Sequence, residues 1–232
     1  SQLLINSSDI TAEKLHEIKM DLRYNPQSAP IIALKNFLAE GLSSEMKAIE
    51  RYELAFEYLK EWNLGTDKDS RHAALGVMTL TPIINQQMFK SEQQTLAESF
   101  KFAVDSLHQY YGGINIPWGD INRLERGDKS WPMSGGPDIL RAVYGWPLSE
   151  TGKLINKAGD SYIQFAEWKS DGGYVVSSIN TYGSAMTRPN SRHYSDQSPL
   201  FASGKERVVE MDIEKLLKIA ISDVTIGSLG KE

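Results

Sequence analysis

Among the side chains of this protein, the stretch SRHYSDQSPLF offers the most familiar nucleophilic chemistry. His193 stands just before Asp196, and Ser184, Ser191 and Ser195 lie close by. In a Ser-His-Asp set, the imidazole takes the serine proton and the carboxylate orients the imidazole. Such sets are defined by geometry and are usually drawn from distant segments. The bland alternative is a loop in which His193 and Asp196 bond each other and the backbone. The other histidines, His16, His72 and His108, have no second histidine at ligand spacing, so no metal site is expected. Ser1 offers a different route, because a serine at a chain terminus can use its own α-amino group as the base. A third candidate is PWGDINRLERGDKSWPMSGGPDILR, residues 117–141, where Arg123, Arg126 and Arg141 sit among Asp120, Glu125, Asp128 and Asp138. Arginines in a glycine-rich loop can grip an anionic substrate. Charges of both signs alternate here, however, which favours an ion-paired loop pinned against a neighbouring layer.

Elements of two kinds must hold these residues. Residues 1–111 read as helical, and residues 112–232 as loop- and strand-rich, with a single domain holding both as the alternative reading. Thr11 is placed to cap a helix through Leu22, with Leu15, Ile18 and Leu22 on one face. Pro30 suits a first helical position and Gly41 a stop. Ser43 or Ser44 opens a longer helix whose stripe is Met46, Ile49, Tyr52, Phe56, Leu59 and Trp62, ending at Asn63 to Gly65. Ser70 caps the next helix, which Pro82 is expected to kink or stop. Ser91 and Gln94 have the spacing of a capping box before Leu96, Phe100, Ala103, Val104 and Leu107, and Gly112 ends that helix. Beyond it, residues 112–160 read as a long ordered loop. Residues 161–169 and 174–182 read as strands joined by a turn at Ser170-Asp171-Gly172-Gly173. A lone hairpin is not stable in water, so it needs the helices, unrecognised short strands, or strands outside this chain. A last short helix is expected over Asp212 to Ile221.

Composition removes several functions. Across 232 residues the formal charge is −5, and no Lys/Arg cluster marks a nucleic-acid or polybasic membrane surface. The apolar run from Ala73 to Ile84 is too short and too polar to span a bilayer. There is no cysteine, which excludes disulfides and thiolate metal sites. No G-x-S-x-G elbow, P-loop, dinucleotide fingerprint, H-E-x-x-H or calcium loop occurs, so no cofactor is expected.

The arginine-rich stretch also carries a resemblance. Trp118, Gly119, Asp120, Arg123, Leu124, Arg126 and Gly127 are followed by Pro132, Ser134, Gly135, Gly136, Asp138, Leu140 and Arg141. This pattern resembles the penicillin amidase family, and within it the acyl-homoserine-lactone and aculeacin acylases. Gly159-Asp160-Ser161-Tyr162, then Ser191, His193, Tyr194, Asp196 and Gln197, then Pro199-Leu200-Phe201, continue in the family's order. Two positions depart from it. Asn63 stands where the family usually has Asp, and Ser184 directly follows Gly183 where Gln-Ser is common.

The resemblance implies an α+β chain that forms part of the αββα sandwich of an N-terminal-nucleophile hydrolase. It also implies that the chain matches the C-terminal part of a β chain, downstream of the nucleophile and the oxyanion asparagine. Ser1 is then a terminus without catalytic role, and Trp118, Asp120, Arg123, Arg126, Arg141, His193 and Asp196 become supports of the core. The implied partners are the remaining β-chain and α-chain portions and an acyl-amide substrate. The implied setting is periplasmic or extracellular. The competing expectation is a non-catalytic module that docks onto a partner chain. A third, an autonomous hydrolase, would use His193 and Asp196.

Overall fold

A computed structural model describes residues 2–5, 8–90 and 94–220. Ser1 and Ser91 therefore lie outside the described residues. The helical half runs α1 (Gln2–Ile5), α2 (Ala12–Lys19), α3 (Ala29–Glu40), α4 (Ser44–Lys47), α5 (Glu50–Lys60), α6 (Ala73–Phe89) and α7 (Leu96–Tyr111). Next come α8 (Trp118–Ile121), β1 (Asn122–Arg126), β2 (Lys129–Pro132), β3 (Val143–Tyr144), β4 (Leu154–Ile155) and β5 (Ala158–Gly159). The hairpin β6 (Tyr162–Trp168) and β7 (Tyr174–Asn180) follows, then α9 (Ser198–Ser203), β8 (Arg207–Val208) and α10 (Ile213–Ile219). The chain is α+β.

Local chemistry explains many boundaries. The Thr11 hydroxyl accepts from the Lys14 N–H, and the Ser43 hydroxyl from the Met46 N–H, each satisfying a free donor of a helix start. Gly112, at φ 75°, closes α7 in the left-handed region that glycine adopts without strain. Asp212 caps α10 by accepting from the Glu214 and Lys215 N–H groups.

Several expectations need correction. The helix capped by Thr11 stops at Lys19 instead of Leu22, and the chain beyond it is drawn to the 65–66 turn, where the Leu22 carbonyl accepts from the N–H and hydroxyl of Thr66. Of its expected apolar face, Ile18 is buried and Leu15 is exposed. The helix from Ser43 breaks at Ala48 and Ile49, where Ile49 turns extended and exposed. A separate α5 then begins with Glu50 and Glu53 at its positive end. Pro82 does not stop α6, which continues to Phe89. The capping box lies at Thr95 and Glu98, where each side chain meets the other's backbone N–H. Residues 112–160 contain α8 and five short strands. β1 pairs antiparallel with β2 and parallel with β4, while β3 pairs with β5.

The hairpin is as expected, pairing Tyr162 with Asn180 through to Trp168 with Tyr174, and β8 adds a third strand along β7. Its support is thus partly a short strand that sequence periodicity does not reveal.

Two apolar clusters lie beneath these elements. In the helical cluster the rings of Phe37, Phe56 and Phe100 meet with centroids 5.4–6.1 Å apart, the spacing favoured by aromatic quadrupoles. Trp62 lies so close over Gly76 that a Cβ there would stand 2.3 Å from the indole, which makes glycine obligatory. Trp118, Ile121 and Leu154 join this cluster, tying the loop-rich segment to the helices. The second cluster is smaller and holds Leu124, Met133, Val143, Ile163, Ile179 and Phe201. It fastens the hairpin and α9 to β1, β2 and β3.

Candidate functional site

The arginine-rich segment is organised around buried polar groups. Trp118 is fully buried and its indole N–H donates to the Gly135 carbonyl at 2.8 Å. Asn122, also fully buried, donates to the carbonyls of Met133, Gly135 and Val143. Its own side-chain oxygen accepts from Asn156 Nδ2 at 2.6 Å. One amide thus stitches three chain segments together, and its bonds help to satisfy carbonyls in the core.

Each guanidinium donates within the chain, although the buried Arg126 Nε has no hydrogen-bond partner among the described residues. Arg123 donates to the Ser130 hydroxyl and the Gly119 carbonyl, both at 2.9 Å. Arg126 donates to the Met186 carbonyl at 2.8 Å and lies between the rings of Tyr182 and Tyr194, 4.6 and 4.1 Å from their centroids. Arg141 is the most deeply placed, with 5% of its side chain exposed. It donates to Asp160 Oδ2 at 2.9 Å and to the Phe201 carbonyl at 2.7 Å, and stacks on the Phe201 ring. Burial lowers the Arg141 pKa from its ordinary value, and the bond to Asp160 opposes that shift. Lys19, on α2, reaches the same carboxylate at 2.8 Å and the Leu140 carbonyl at 2.6 Å. Asp160 therefore joins α2, the arginine-rich segment and the start of the hairpin. Asp120 sits exposed in the first turn of α8, away from these bonds.

His193 and Asp196 do meet, with Nδ1 to Oδ2 at 2.8 Å. The other ring nitrogen, Nε2, accepts from Arg192 Nε at 2.9 Å. That bond uses the lone pair a general base would need, and fixes the proton on Nδ1, facing Asp196. The Ser191 hydroxyl accepts from the His193 backbone N–H instead of facing the ring. A Cβ on Gly183 would lie 2.0 Å from the His193 carbonyl and 2.5 Å from Asp196 Oδ1, so the loop is pressed onto Gly183. The pair has the chemistry of a loop clasp. Among the described residues no group of three or more histidine, aspartate or glutamate side chains is placed to hold a metal ion.

Sequence reasoning brought together the arginine-rich stretch and the His193–Asp196 pair. It missed Lys19 as a partner of Asp160, since the two are 141 residues apart. It also missed the Asn122–Asn156 pair, for which neither spacing nor residue type gives a signal.

Comparison with known proteins matches residues 1–217 to the penicillin amidase family model. The chain is also 25% identical over 152 residues to an acyl-homoserine lactone acylase, PvdQ, of Pseudomonas fluorescens. That match takes in 64% of this chain and only 18% of the relative's length.

Proposed function

Because this chain belongs to the penicillin amidase family, we propose that it is the C-terminal segment of an acylase β chain and supports a catalytic core made elsewhere in the parent enzyme. The observation that carries this reading is the pairing of a nearly full-length family match with a match to less than a fifth of a larger acylase. The parent reaction is amide hydrolysis that releases an acyl group, on substrates of the penicillin or acyl-homoserine-lactone type. In such an N-terminal-nucleophile hydrolase, a serine hydroxyl attacks the amide carbonyl while its own α-amino group accepts the proton. Backbone N–H groups and an asparagine hold the oxyanion. In this reading all of those groups belong to the upstream portion, and Ser1 of this chain is not the nucleophile. The setting is periplasmic or extracellular.

Committed arginines support this role. A guanidinium that already binds carbonyls, a carboxylate and aromatic faces stiffens the scaffold, and has little left for a substrate anion. The hairpin supports it as well. The outer side of β6 has no strand partner among the described residues, and Tyr162, Trp168 and Tyr174 are exposed. An open edge beside exposed aromatics is a surface on which another sheet packs. That edge equally favours the second reading, a non-catalytic module docking onto a partner chain.

The test is hydrolysis of a long-chain acyl-homoserine lactone and of a penicillin by the purified chain, by its Ser1→Ala variant, and by each mixed with the upstream portion of a homologous acylase. The expected result is no turnover alone and turnover on mixing, unaffected by Ser1→Ala. Turnover by the chain alone overturns the supporting role. If that activity disappears in Ser1→Ala, Ser1 is the nucleophile. If it survives Ser1→Ala but is lost in His193→Ala, the chain is an autonomous hydrolase. Association with the upstream portion without any turnover favours the docking module.

A further inference from the structure

The turn between β6 and β7 carries a reactive step that its part in the hairpin does not use. Asp171 is followed by Gly172, and this is the one Asp-Gly or Asn-Gly step in the 232-residue sequence. In such a step the peptide nitrogen of the second residue is placed to attack the side-chain carboxyl of the first. A glycine in second place leaves that approach open, because it has no Cβ. Other aspartates of the loop-rich half precede larger residues, Asp120 before Ile121, Asp128 before Lys129 and Asp160 before Ser161.

A fold can suppress this reactivity by crowding the step or by locking it in a ladder, and this fold does neither. Asp171, Gly172 and Gly173 are all exposed. They lie beyond the last ladder pair, Trp168 with Tyr174, so they can move without breaking a strand bond. A Cβ on Gly172 would meet nothing within 4 Å, so no distant part of the chain crowds the peptide. The Asp171 side chain is already turned towards the residues that follow it, with Oδ1 accepting from the Gly173 N–H at 2.8 Å. Two main-chain bonds close the turn. The Lys169 N–H donates to the Gly173 carbonyl at 2.8 Å, and the Gly172 N–H to the Lys169 carbonyl at 3.1 Å. The second bond holds the attacking nitrogen, and an exposed bond at a hairpin tip is among the first to open.

We propose that Asp171 is a site of spontaneous isomerisation to isoaspartate. The Gly172 nitrogen forms a bond to Asp171 Cγ, and the carboxyl hydroxyl leaves with the amide hydrogen as one water molecule. The product is a five-membered succinimide. Water then adds to the main-chain carbonyl of that ring, and the C–N bond there breaks. The chain now runs through the side-chain carbons of residue 171, one methylene longer, and the former main-chain carbonyl is a free carboxylate. The water gained equals the water lost, so the mass is unchanged and no oxidant or cofactor is consumed. The two bonds from Lys169 to the turn no longer fit the longer chain, and the hairpin tip loosens beside Trp168 and Tyr174. The product is a substrate for the class of methyltransferase that esterifies isoaspartyl carboxylates. The proposal does not rest on the acylase reading and stands or falls without it.

The test is storage of the 232-residue chain at physiological temperature and mildly acidic pH, where part of the carboxyl is in the neutral form that loses water. A free peptide of residues 168–176 is stored beside it. An isoaspartyl methyltransferase with labelled S-adenosylmethionine counts the product, and tryptic mapping of residues 170–192 locates it as a second peak of equal mass. Label that grows with time and maps to residue 171 is expected. The second peak should be lost in Asp171→Glu, whose longer side chain does not close a five-membered ring. Amide hydrogen exchange at Lys169 should be faster in the isomerised fraction than in fresh protein. The proposal is overturned if the folded chain stays unlabelled while the free peptide isomerises, or if the label falls elsewhere and spares residue 171. It is equally overturned if Asp171→Glu gives the same second peak, or if isomerised protein exchanges its Lys169 amide no faster than fresh protein.

Discussion

The helical half and the hairpin sheet bury their aromatic residues to different degrees. Phe56, Phe100, Tyr52 and Trp62 face inward, in a cluster that Trp118, Ile121 and Leu154 of the loop-rich segment complete, while Phe89 and Phe102 of the helical half are exposed. On the hairpin, Tyr162, Trp168 and Tyr174 lie open, and in the third strand Val208 is 75% exposed. α10 continues the pattern, since Ile213, Leu216, Leu217 and Ile219 are all exposed. Exposed apolar side chains scattered singly are ordinary, but a row of them along one sheet and its following helix marks a contact surface. The helical region thus holds the larger share of the core, and in the reading proposed above the hairpin face is the surface that the rest of the enzyme covers.

The largest effect should come from the larger cluster. Phe100→Ala removes the ring that Phe37 and Phe56 both touch. It should lower stability by about 3–5 kcal/mol, measured by denaturant unfolding. A loss under about 1 kcal/mol would mean that the helical cluster collapses around the gap and is less rigid than its packing suggests.

Next is the joint between the two regions. Asp160→Ala leaves the buried Arg141 guanidinium without its carboxylate and frees Lys19 from the same anchor. A buried charge stripped of its partner is strongly destabilising, and about 3 kcal/mol is expected. Arg141→Met in the Asp160→Ala background should recover part of that loss, because the stranded charge is removed. No recovery would show that the joint holds through the Phe201 contact instead of through charge.

A smaller, pH-dependent effect belongs to the helical half. Burial alone would raise the pKa of Asp105, but hydrogen bonds from Lys101, Tyr52 and Arg51 outweigh it and hold the pKa below the ordinary 3.8. A carboxylate lowered on folding adds stability that is fully present above its unfolded pKa. That stability is lost as pH falls through the folded value. Asp105→Asn should therefore reduce stability at neutral pH and flatten the acid limb of the stability curve below about pH 4. An unchanged acid limb would place the proton uptake elsewhere.

The same contrast decides what the sequence discloses. Thr11, Ser43, Gly41 and Gly112 act locally, through a bond or a backbone angle within one turn, and their roles are legible from residue type. The hairpin is legible because its turn residues and β-rich flanks occur together. Of the two outcomes expected at Pro82, the stop does not occur, because the helix before it is buried from Ala73 to Thr81 and packing overrides a local breaker. The two-residue strands β3, β4, β5 and β8 have no period to detect, and exist only because partners brought from afar supply their hydrogen bonds. The charge pattern of residues 117–141 suggested an ion-paired loop, yet Arg123 and Arg126 bind hydroxyl and carbonyl oxygens, and Arg141 pairs with Asp160 outside the stretch. The atoms each one binds depend on Phe201, Met186 and Asp160, which no spacing rule connects.

The smallest expected effect tests the contrast most directly. Trp168 stands at the end of β6, opposite Tyr174, with 77% of its surface exposed. A side chain that touches so little of its own chain contributes little to its stability, so Trp168→Ser should change the unfolding free energy by less than about 0.5 kcal/mol. The same substitution should weaken association with the upstream acylase portion, because aromatic anchors at the centre of an interface carry much of its energy. Both measurements are needed. A large loss of stability in the isolated chain would mean that the ring already packs within it and that the hairpin needs no cover. Unchanged stability with unchanged association would move the covering surface away from the hairpin tip, towards Val208 and α10.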